Sequence, residues 1–208
     1  MKSNLWRQAA LAAITALLVL VAVACGTGQE EESTPSTAVL PTPAVQGTPR
    51  PLPTVDLSSF LNASLVEYRS PDKGYTISYP EGWKVSASAG GPLDTFLGST
   101  PEGRAVAQLS VACFEGDWTL DKLVAQDMAV ISHFQGSASA PQPLEIAGET
   151  GSLLTYSMQF EQLSVEHSVG YLVRGKCGWR VDLTSYGVGT RLAFQPMFER
   201  IIASFQPG

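Results

Sequence analysis

Chemically reactive side chains are scarce in this sequence. Only three of its 208 residues are cysteine, only two are histidine, and 15% are charged. Nucleophilic catalysis needs a nucleophile beside a base, and a metal site needs clustered donor side chains. The sequence also has no Gly-x-Ser-x-Gly elbow, P-loop or dinucleotide-binding motif. We therefore expect a protein that is not an enzyme, with no catalytic residue, no metal site and no cofactor.

Positive charge is also in short supply. The first 24 residues contain Lys2 and Arg7 and no acidic residue, so the remainder holds 11 basic and 19 acidic side chains, a net charge of −8. Nucleic acids and anionic membranes both attract a basic face. This balance argues against nucleic acid, and against an anionic membrane, as the partner of the folded part.

A hydrophobic run long enough to span a bilayer is missing as well. The apolar segment 9–24 has about 16 residues, fewer than the ~20 that a spanning helix needs. It follows the basic Lys2 and Arg7 and ends in Ala22-Val23-Ala24-Cys25. This organisation is typical of a secretory signal, and its end resembles the lipobox of bacterial lipoproteins. The alternatives are an uncleaved membrane anchor with a lone cysteine and signal cleavage at another residue.

The lipobox resemblance implies a location for the protein. Cys25 would receive a diacylglyceryl group and become the first residue of the mature chain, and two or more acyl chains anchor a protein stably. We expect a protein attached to the cell membrane through lipid on Cys25, at its extracytoplasmic face.

A proline-rich segment follows the cysteine. Residues 25–59 contain six of the 14 prolines, all between Pro35 and Pro53. Proline removes backbone donors, and the few large apolar residues there do not offset the entropy lost on ordering. We predict a signal peptide over residues 1–24, a disordered tether over 25–59 and a folded domain over 60–208, which has the usual size of one domain.

Strand patterns dominate the predicted domain. Segments 66–69 and 75–79 flank a Ser-Pro-Asp-Lys-Gly turn, as in a β-hairpin. Alternating or continuous apolar patterns predict further strands at 104–114, 151–160, 165–173 and 179–185. The last two flank a short glycine-containing turn, so neighbouring strands should run antiparallel.

Two helices complete the predicted fold. Thr119 is suited to cap a helix that stops at Gly136 and has one apolar side, formed by Leu120, Leu123, Val124, Met128, Ile131 and Phe134. Pro196 is suited to the first position of a closing helix whose inward residues are Met197, Phe198, Ile201, Ile202 and Phe205. An antiparallel sheet flanked by helices accounts for these patterns, so the predicted fold class is α+β.

Two segments resemble the PsbP-like (Mog1/PsbP) family. Residues 74–85, with the sequence GYTISYPEGWKV, resemble the opening of that fold, and residues 198–205, FERIIASF, resemble its last helix. The resemblance covers about 66–205 and implies a PsbP-like α/β/α sandwich. It implies a binding scaffold more than a shared activity, and no binding residue of the family can be placed on this sequence.

A few residues could carry chemistry. We interpret His133 and His167 as surface or partly buried histidines and not as ligands. Glu161, Glu166 and Asp182 could form a carboxylate pair for glycoside hydrolysis, but we interpret them as solvated charges. The larger aromatic side chains could line a ligand groove, and we predict that they fill the core instead; they are Trp83, Trp118, Trp179, Tyr75, Tyr79, Tyr156, Tyr171 and Tyr186.

Two cysteines remain once Cys25 is lipidated. Cys113 ends a predicted strand and Cys177 lies in a predicted hairpin turn, so both could lie at the same edge of the sheet. Disulfides persist outside the cytoplasm, and this one would close a loop of about 64 residues, worth about 4 kcal/mol in the chain-entropy model. We predict this disulfide; the alternative is two unrelated buried thiols.

The sequence as a whole predicts a lipid-anchored extracytoplasmic binding or scaffold protein that is non-catalytic and has an unidentified protein partner. One alternative is a small-ligand binder or hydrolase that uses a cleft between sheet and helices. The other is a purely structural surface protein, which would have neither a groove nor an exposed apolar patch.

Overall fold

The computed structural model describes residues 56–87, 91–160 and 163–208. The predicted signal peptide, Cys25 and most of the predicted tether lie outside these residues. In the described part of the chain, no helix is long and apolar enough to cross a membrane.

Three helices and eleven strands make up the described part of the chain. The helices are α1 (Ser58–Leu61), α2 (Leu120–His133) and α3 (Thr190–Ser204). The strands are β1 (Leu65–Arg69), β2 (Tyr75–Pro80), β3 (Lys84–Ala87), β4 (Leu93–Ser99), β5 (Ala105–Glu115), β6 (Ser137–Ala138), β7 (Gln142–Ile146), β8 (Glu149–Phe160), β9 (Leu163–Arg174), β10 (Cys177–Tyr186) and β11 (Gln206–Pro207).

The strands form two antiparallel sheets. The larger sheet has the order β3-β4-β5-β10-β9-β8-β6, and β7 also pairs with β8; the smaller sheet has the order β1-β2-β11. Short turns explain the antiparallel pairing. Between β9 and β10, for example, Arg174 pairs with Cys177 across a turn in which Gly175 has a φ of +61°. The predicted hairpin of β1 and β2 and the predicted antiparallel pairing of the later strands are therefore confirmed.

Helix α2 covers one face of the larger sheet. Thr119 caps it, because its side chain accepts a hydrogen bond from the backbone N–H of Lys122 at 3.2 Å. Leu123 and Ile131 are buried against the sheet, as predicted. Met128, which the apolar pattern placed on the inward side, is instead 39% exposed. That prediction was wrong because a polar side chain of the same helix, Asp127, points towards the sheet.

Helix α3 and the smaller sheet cover the opposite face. Inward side chains of α3 pack with alternate residues of β5 and β10 and with the aromatic side chains of β2. The buried residues of this core from the helix and the chain end are Phe194, Met197, Phe198, Ile201, Ile202 and Phe205. The predicted inward face of the closing helix is thus confirmed, and the sheet lies between helical layers as an α+β fold requires.

The start of α3 differs from the prediction. Pro196 lies inside the helix, and the helix begins six residues earlier, at Thr190. Proline lacks the N–H that would bond one turn back, so its position suggested a helix start. The first turn is instead held by Glu166 of β9, whose carboxylate accepts hydrogen bonds from the backbone N–H groups of Gly189 and Arg191 at 2.8 and 2.7 Å.

Candidate functional site

A buried charged network lies between α2 and the larger sheet. Arg180 of β10 is at its centre. The Nε atom of Arg180 donates to Asp127 of α2 at 2.8 Å, and its terminal nitrogens lie 3.1 Å from Asp182 and 3.1 Å from the hydroxyl of Tyr156. The Tyr171 hydroxyl also donates to Asp127. The network therefore links the helix to β8, β9 and β10 through charge-assisted hydrogen bonds.

Asp182 is buried in this network, with 4% of its surface exposed. Burial alone would raise the pKa of its carboxyl group, but the positive charge of Arg180 and the contact with His167 outweigh burial and lower that pKa to about 2. The interpretation of Asp182 as a solvated charge is therefore wrong. Its side chain points to the face under α2, where the guanidinium replaces water as its partner.

His167 of β9 is the second inner member of the network. Its ring stacks on Tyr156, with ring centroids 4.2 Å apart and planes at 15°. Its Nδ1 atom lies 3.1 Å from Asp182 and 3.1 Å from the Thr184 hydroxyl. A carboxylate only accepts, so Nδ1 carries a proton towards Asp182. Its Nε2 atom is buried and has no hydrogen-bond partner among the described residues.

The predictions for the two histidines thus have different outcomes. His133 is exposed at the end of α2, in agreement with a surface position. His167 is only 6% exposed, so it is a core residue and not a partly exposed one. Within the described residues, no group of three or more His, Cys, Asp or Glu side chains is arranged to hold a metal ion.

The predicted carboxylate pair is not assembled. Asp182 faces α2, whereas Glu166 holds the first turn of α3 on the other face of the sheet. Glu161 lies outside the described residues. Glycoside hydrolysis needs two carboxyl groups that flank one bond, and these two described carboxylates are separated by the sheet itself.

A second buried carboxylate, Asp94 of β4, is paired in the same way. It accepts hydrogen bonds from Ser70, Lys73 and Tyr75 at 2.9, 2.7 and 2.7 Å. Burial would raise the pKa of Asp94, but the Lys73 ammonium and the two hydroxyl groups outweigh it and lower the pKa. These contacts attach the turn between β1 and β2 to the larger sheet, so this cluster has a structural role.

Cys113 lies near the end of β5, and Cys177 is the first residue of β10. A disulfide joins them, with Cα atoms 5.3 Å apart, inside the range of about 4.4–6.8 Å that this bond allows. The two residues belong to adjacent antiparallel strands whose register pairs Cys113 with Trp179 and Cys177 with Glu115. The bridge therefore closes the end of the strand pair at which α2 begins.

Most of the large aromatic residues are core residues, as predicted. Tyr75, Trp179 and Phe205 form mutual edge or tilted contacts with centroids 5.4–5.7 Å apart, the geometry that aromatic pairs prefer. Trp83 packs so closely on Gly98 that a Cβ there would lie 2.6 Å from the indole ring. These side chains fill the space between the sheets.

Aliphatic side chains are exposed at one end of the domain. Val188 is 87% exposed, Leu192 is 69% exposed and Leu163 is 42% exposed. Leu163 and Val188 are neighbours, because Leu163 precedes Ser164, whose carbonyl accepts a hydrogen bond from the backbone N–H of Gly187 at 2.8 Å. Leu192 follows in the first turn of α3. We call these three residues the apical patch. This patch was not predicted, since exposure of single aliphatic residues has no sequence signal.

Comparison with known proteins identifies the fold. The solution structure of cyanobacterial PsbP (CyanoP) from Synechocystis sp. PCC 6803 is similar with a TM-score of 0.51 at 19% identity, covering 70% of this chain and 94% of that one. The Saccharomyces cerevisiae Ran-binding protein Mog1p is similar with a TM-score of 0.51 at 9% identity, covering 70% of this chain and 96% of that one. No family model and no curated protein matches the sequence. The described chain has a PsbP/Mog1-like α+β fold.

Proposed function

We propose that this protein is a lipid-anchored extracytoplasmic binding or scaffold protein, without catalytic activity, that acts through a protein partner. Lipid on Cys25 would attach it to the cell membrane, and the proline-rich tether would join the folded domain to that anchor. The sequence Ala22-Val23-Ala24-Cys25 after an apolar run supports the anchor.

The main observation in favour of a non-catalytic protein is that the charged groups of the buried network bind one another. Asp182 and His167 are the pair that most resembles an acid–base pair, and both are less than a tenth exposed. Asp182 is paired with Arg180, and Nε2 of His167, the ring nitrogen that could act as a base, is buried. A general base must reach the proton that it removes from a substrate. This burial supports a structural role for the pair over a role in proton transfer.

The fold supports a protein partner. Mog1p, which has the same fold, is described as Ran-binding, so this architecture can present a protein-binding surface. Fold alone does not specify a partner. The acidic balance of the chain after residue 24 favours a partner other than nucleic acid.

Cross-linking in intact membranes tests this proposal. We expect the full-length protein to form a reproducible cross-linked adduct with a specific envelope protein, and we expect His167→Gln to retain that adduct in proportion to its folded fraction. Loss of the adduct in a fully folded His167→Gln protein would favour a ligand or reaction site in the network. Absence of any specific adduct would favour the purely structural alternative.

One atom favours a small-ligand binder as the second candidate. Nε2 of His167 is a buried polar atom between the sheet and α2, the place where a cleft would lie, and it has no partner in the part of the chain that the structure describes. The indole N–H groups of Trp83, Trp118 and Trp179 share this condition, so an unpaired atom alone is not specific to a ligand site. A compound that raises the melting temperature of wild-type protein but not of His167→Phe would support this candidate.

A further inference from the structure

We propose that the apical patch is the face that the anchored domain lays on the lipid bilayer, with Val188 and Leu192 inserted among the headgroups. The proposal rests on the proposed anchor at Cys25. Four observations support it: the way in which the patch is held, its position in the fold, its local charge and the length of the tether.

The patch is held by a structured turn. Val188 lies between Gly187, with a φ of +122°, and Gly189, with a φ of +76°, conformations that other residues rarely adopt. The Thr190 hydroxyl donates to the Gly187 carbonyl at 2.7 Å, and the Glu166 carboxylate accepts from the Gly189 N–H. Leu192 follows in the first turn of α3 and is 69% exposed. The fold therefore presents these aliphatic side chains to the surroundings in a fixed arrangement.

The patch lies at the end of the domain where the tether joins it. The described chain begins at Asp56, and Leu65, soon after it, pairs with Pro80 at the start of the smaller sheet. Trp83 then packs on Gly98 of the larger sheet. Gly98 pairs with Ala107 of β5, Ala107 pairs with Ser185 of β10, and Ser185 pairs with Glu166 of β9. These pairs place Gly98 at the same end of the larger sheet as the patch. A bilayer-bound tether therefore meets the domain at its patch end, while the disulfide lies at the other end.

The charge around the patch suits a bilayer of neutral lipids. Both carboxylate oxygens of Glu166 accept backbone N–H groups at the start of α3, so this nearby acid is already compensated. Arg191 lies directly beside Leu192, and arginine can bury its apolar stem while its cation remains at the headgroup phosphates. The acidic balance of the chain as a whole disfavours an anionic surface. The occupant is therefore a zwitterionic lipid surface.

The tether keeps the domain near this surface. About 30 residues separate Cys25 from Asp56, and a proline-rich linker of this length, at ~3.1 Å per residue, would keep the domain within about 90 Å of the anchor. Attachment converts insertion of the patch into an intramolecular event with a high effective concentration. Insertion of a few aliphatic groups, which would be too weak to hold a free protein, then becomes sufficient to orient an anchored one.

Fluorescence quenching by brominated lipid tests the proposal. Trp83 and Trp179 are buried, and Trp118 is covered by its contacts with Gly178 and Phe114, so an indole introduced at an exposed site can be distinguished by the difference from wild type. The full-length Val188→Trp protein, purified from membranes with its anchor, would be placed in phosphatidylcholine vesicles with and without brominated acyl chains. The matched control is Met128→Trp, since Met128 is exposed on α2, across the larger sheet from α3.

We expect a two-fold or greater loss of the added emission for Val188→Trp in brominated vesicles and little loss for Met128→Trp. Adding Leu192→Asp to Val188→Trp should remove most of the quenching. Equal emission in both vesicle types, or equal quenching at both positions, would overturn the proposal and leave the patch as a protein-docking surface. Flotation with the vesicles reports separately on the anchor: a wild-type protein that fails to float would contradict the proposed function, and the proposal with it.

Discussion

Replacement of Asp182 by asparagine is the most informative perturbation of the buried network. The substitution keeps the shape of the side chain but removes the charge that faces Arg180 and His167. The pKa of Asp182 is lowered from its ordinary value of 3.8 to about 2. Each pKa unit corresponds to about 1.4 kcal/mol, so the carboxylate contributes roughly 2–3 kcal/mol to folding at neutral pH. Removal of one partner of a buried ion pair costs about 3–5 kcal/mol in other proteins, so we expect a loss of roughly 2–4 kcal/mol.

The sign of the pH dependence follows from the lowered pKa. A carboxyl group with a lower pKa in the folded state contributes its full stability above the unfolded pKa, near 4, and loses it as the pH falls towards 2. The difference in unfolding free energy between wild type and Asp182→Asn should therefore be constant from pH 7 to about 5 and should shrink below that pH.

Urea unfolding at a series of pH values measures this difference, with the disulfide intact in both proteins. Glu145→Gln is the matched control, because Glu145 is an exposed acid on β7 and its replacement should cost less than about 0.5 kcal/mol. A loss below 1 kcal/mol for Asp182→Asn, or a loss that stays constant down to pH 2.5, would refute the charge assignment.

Three further predictions concern the disulfide, the cap of α3 and the core. Thiol labelling of the denatured, unreduced protein should find no reactive thiol at Cys113 or Cys177, and reduction should lower the unfolding free energy by about 4 kcal/mol; two reactive thiols would exclude the bridge. Glu166→Ala should destabilise the protein by about 1 kcal/mol, as loss of a helix cap does, and unchanged urea unfolding would contradict the cap. Gly98→Ala should cost about 1–3 kcal/mol through its clash with Trp83, and a neutral effect on the melting temperature would contradict that packing.

Local sequence signals predicted the fold well where one segment determines its own structure. Thr119 accepts a hydrogen bond from a residue three positions later, so the start of α2 could be predicted from neighbouring residues alone. The alternation in β5 likewise placed one row of side chains in the core. Short turns then fixed antiparallel neighbours, and the α+β fold followed.

Signals that depend on distant residues were missed. The start of α3 depends on Glu166, more than twenty residues earlier, so the local proline gave the wrong position. Strand β4 was not predicted, because the buried Asp94 interrupts its apolar alternation and is compensated by Ser70, Lys73 and Tyr75, about twenty residues earlier in the chain.

The chemistry of the buried network also depended on pairing between strands. Asp182 and His167 are 15 residues apart, and they meet only because β9 and β10 are adjacent and both side chains face α2. Asp127 of α2 accepts hydrogen bonds from Tyr171 of β9 and from Arg180 of β10, and it lies more than fifty residues before Arg180 in the sequence. The charges of these residues can be read from the sequence but their burial cannot, so Asp182 was interpreted as a solvated charge.

Mass spectrometry of the mature amino terminus tests the lipid anchor, on which the proposed function and the bilayer-docking proposal both depend. We predict that protein purified from membranes begins at Cys25 and carries the mass of a diacylglyceryl group, with or without a further acyl chain. The matched Cys25→Ala protein should keep the mass of the unprocessed precursor. A mature terminus at any other residue, or an unmodified Cys25, would contradict the account.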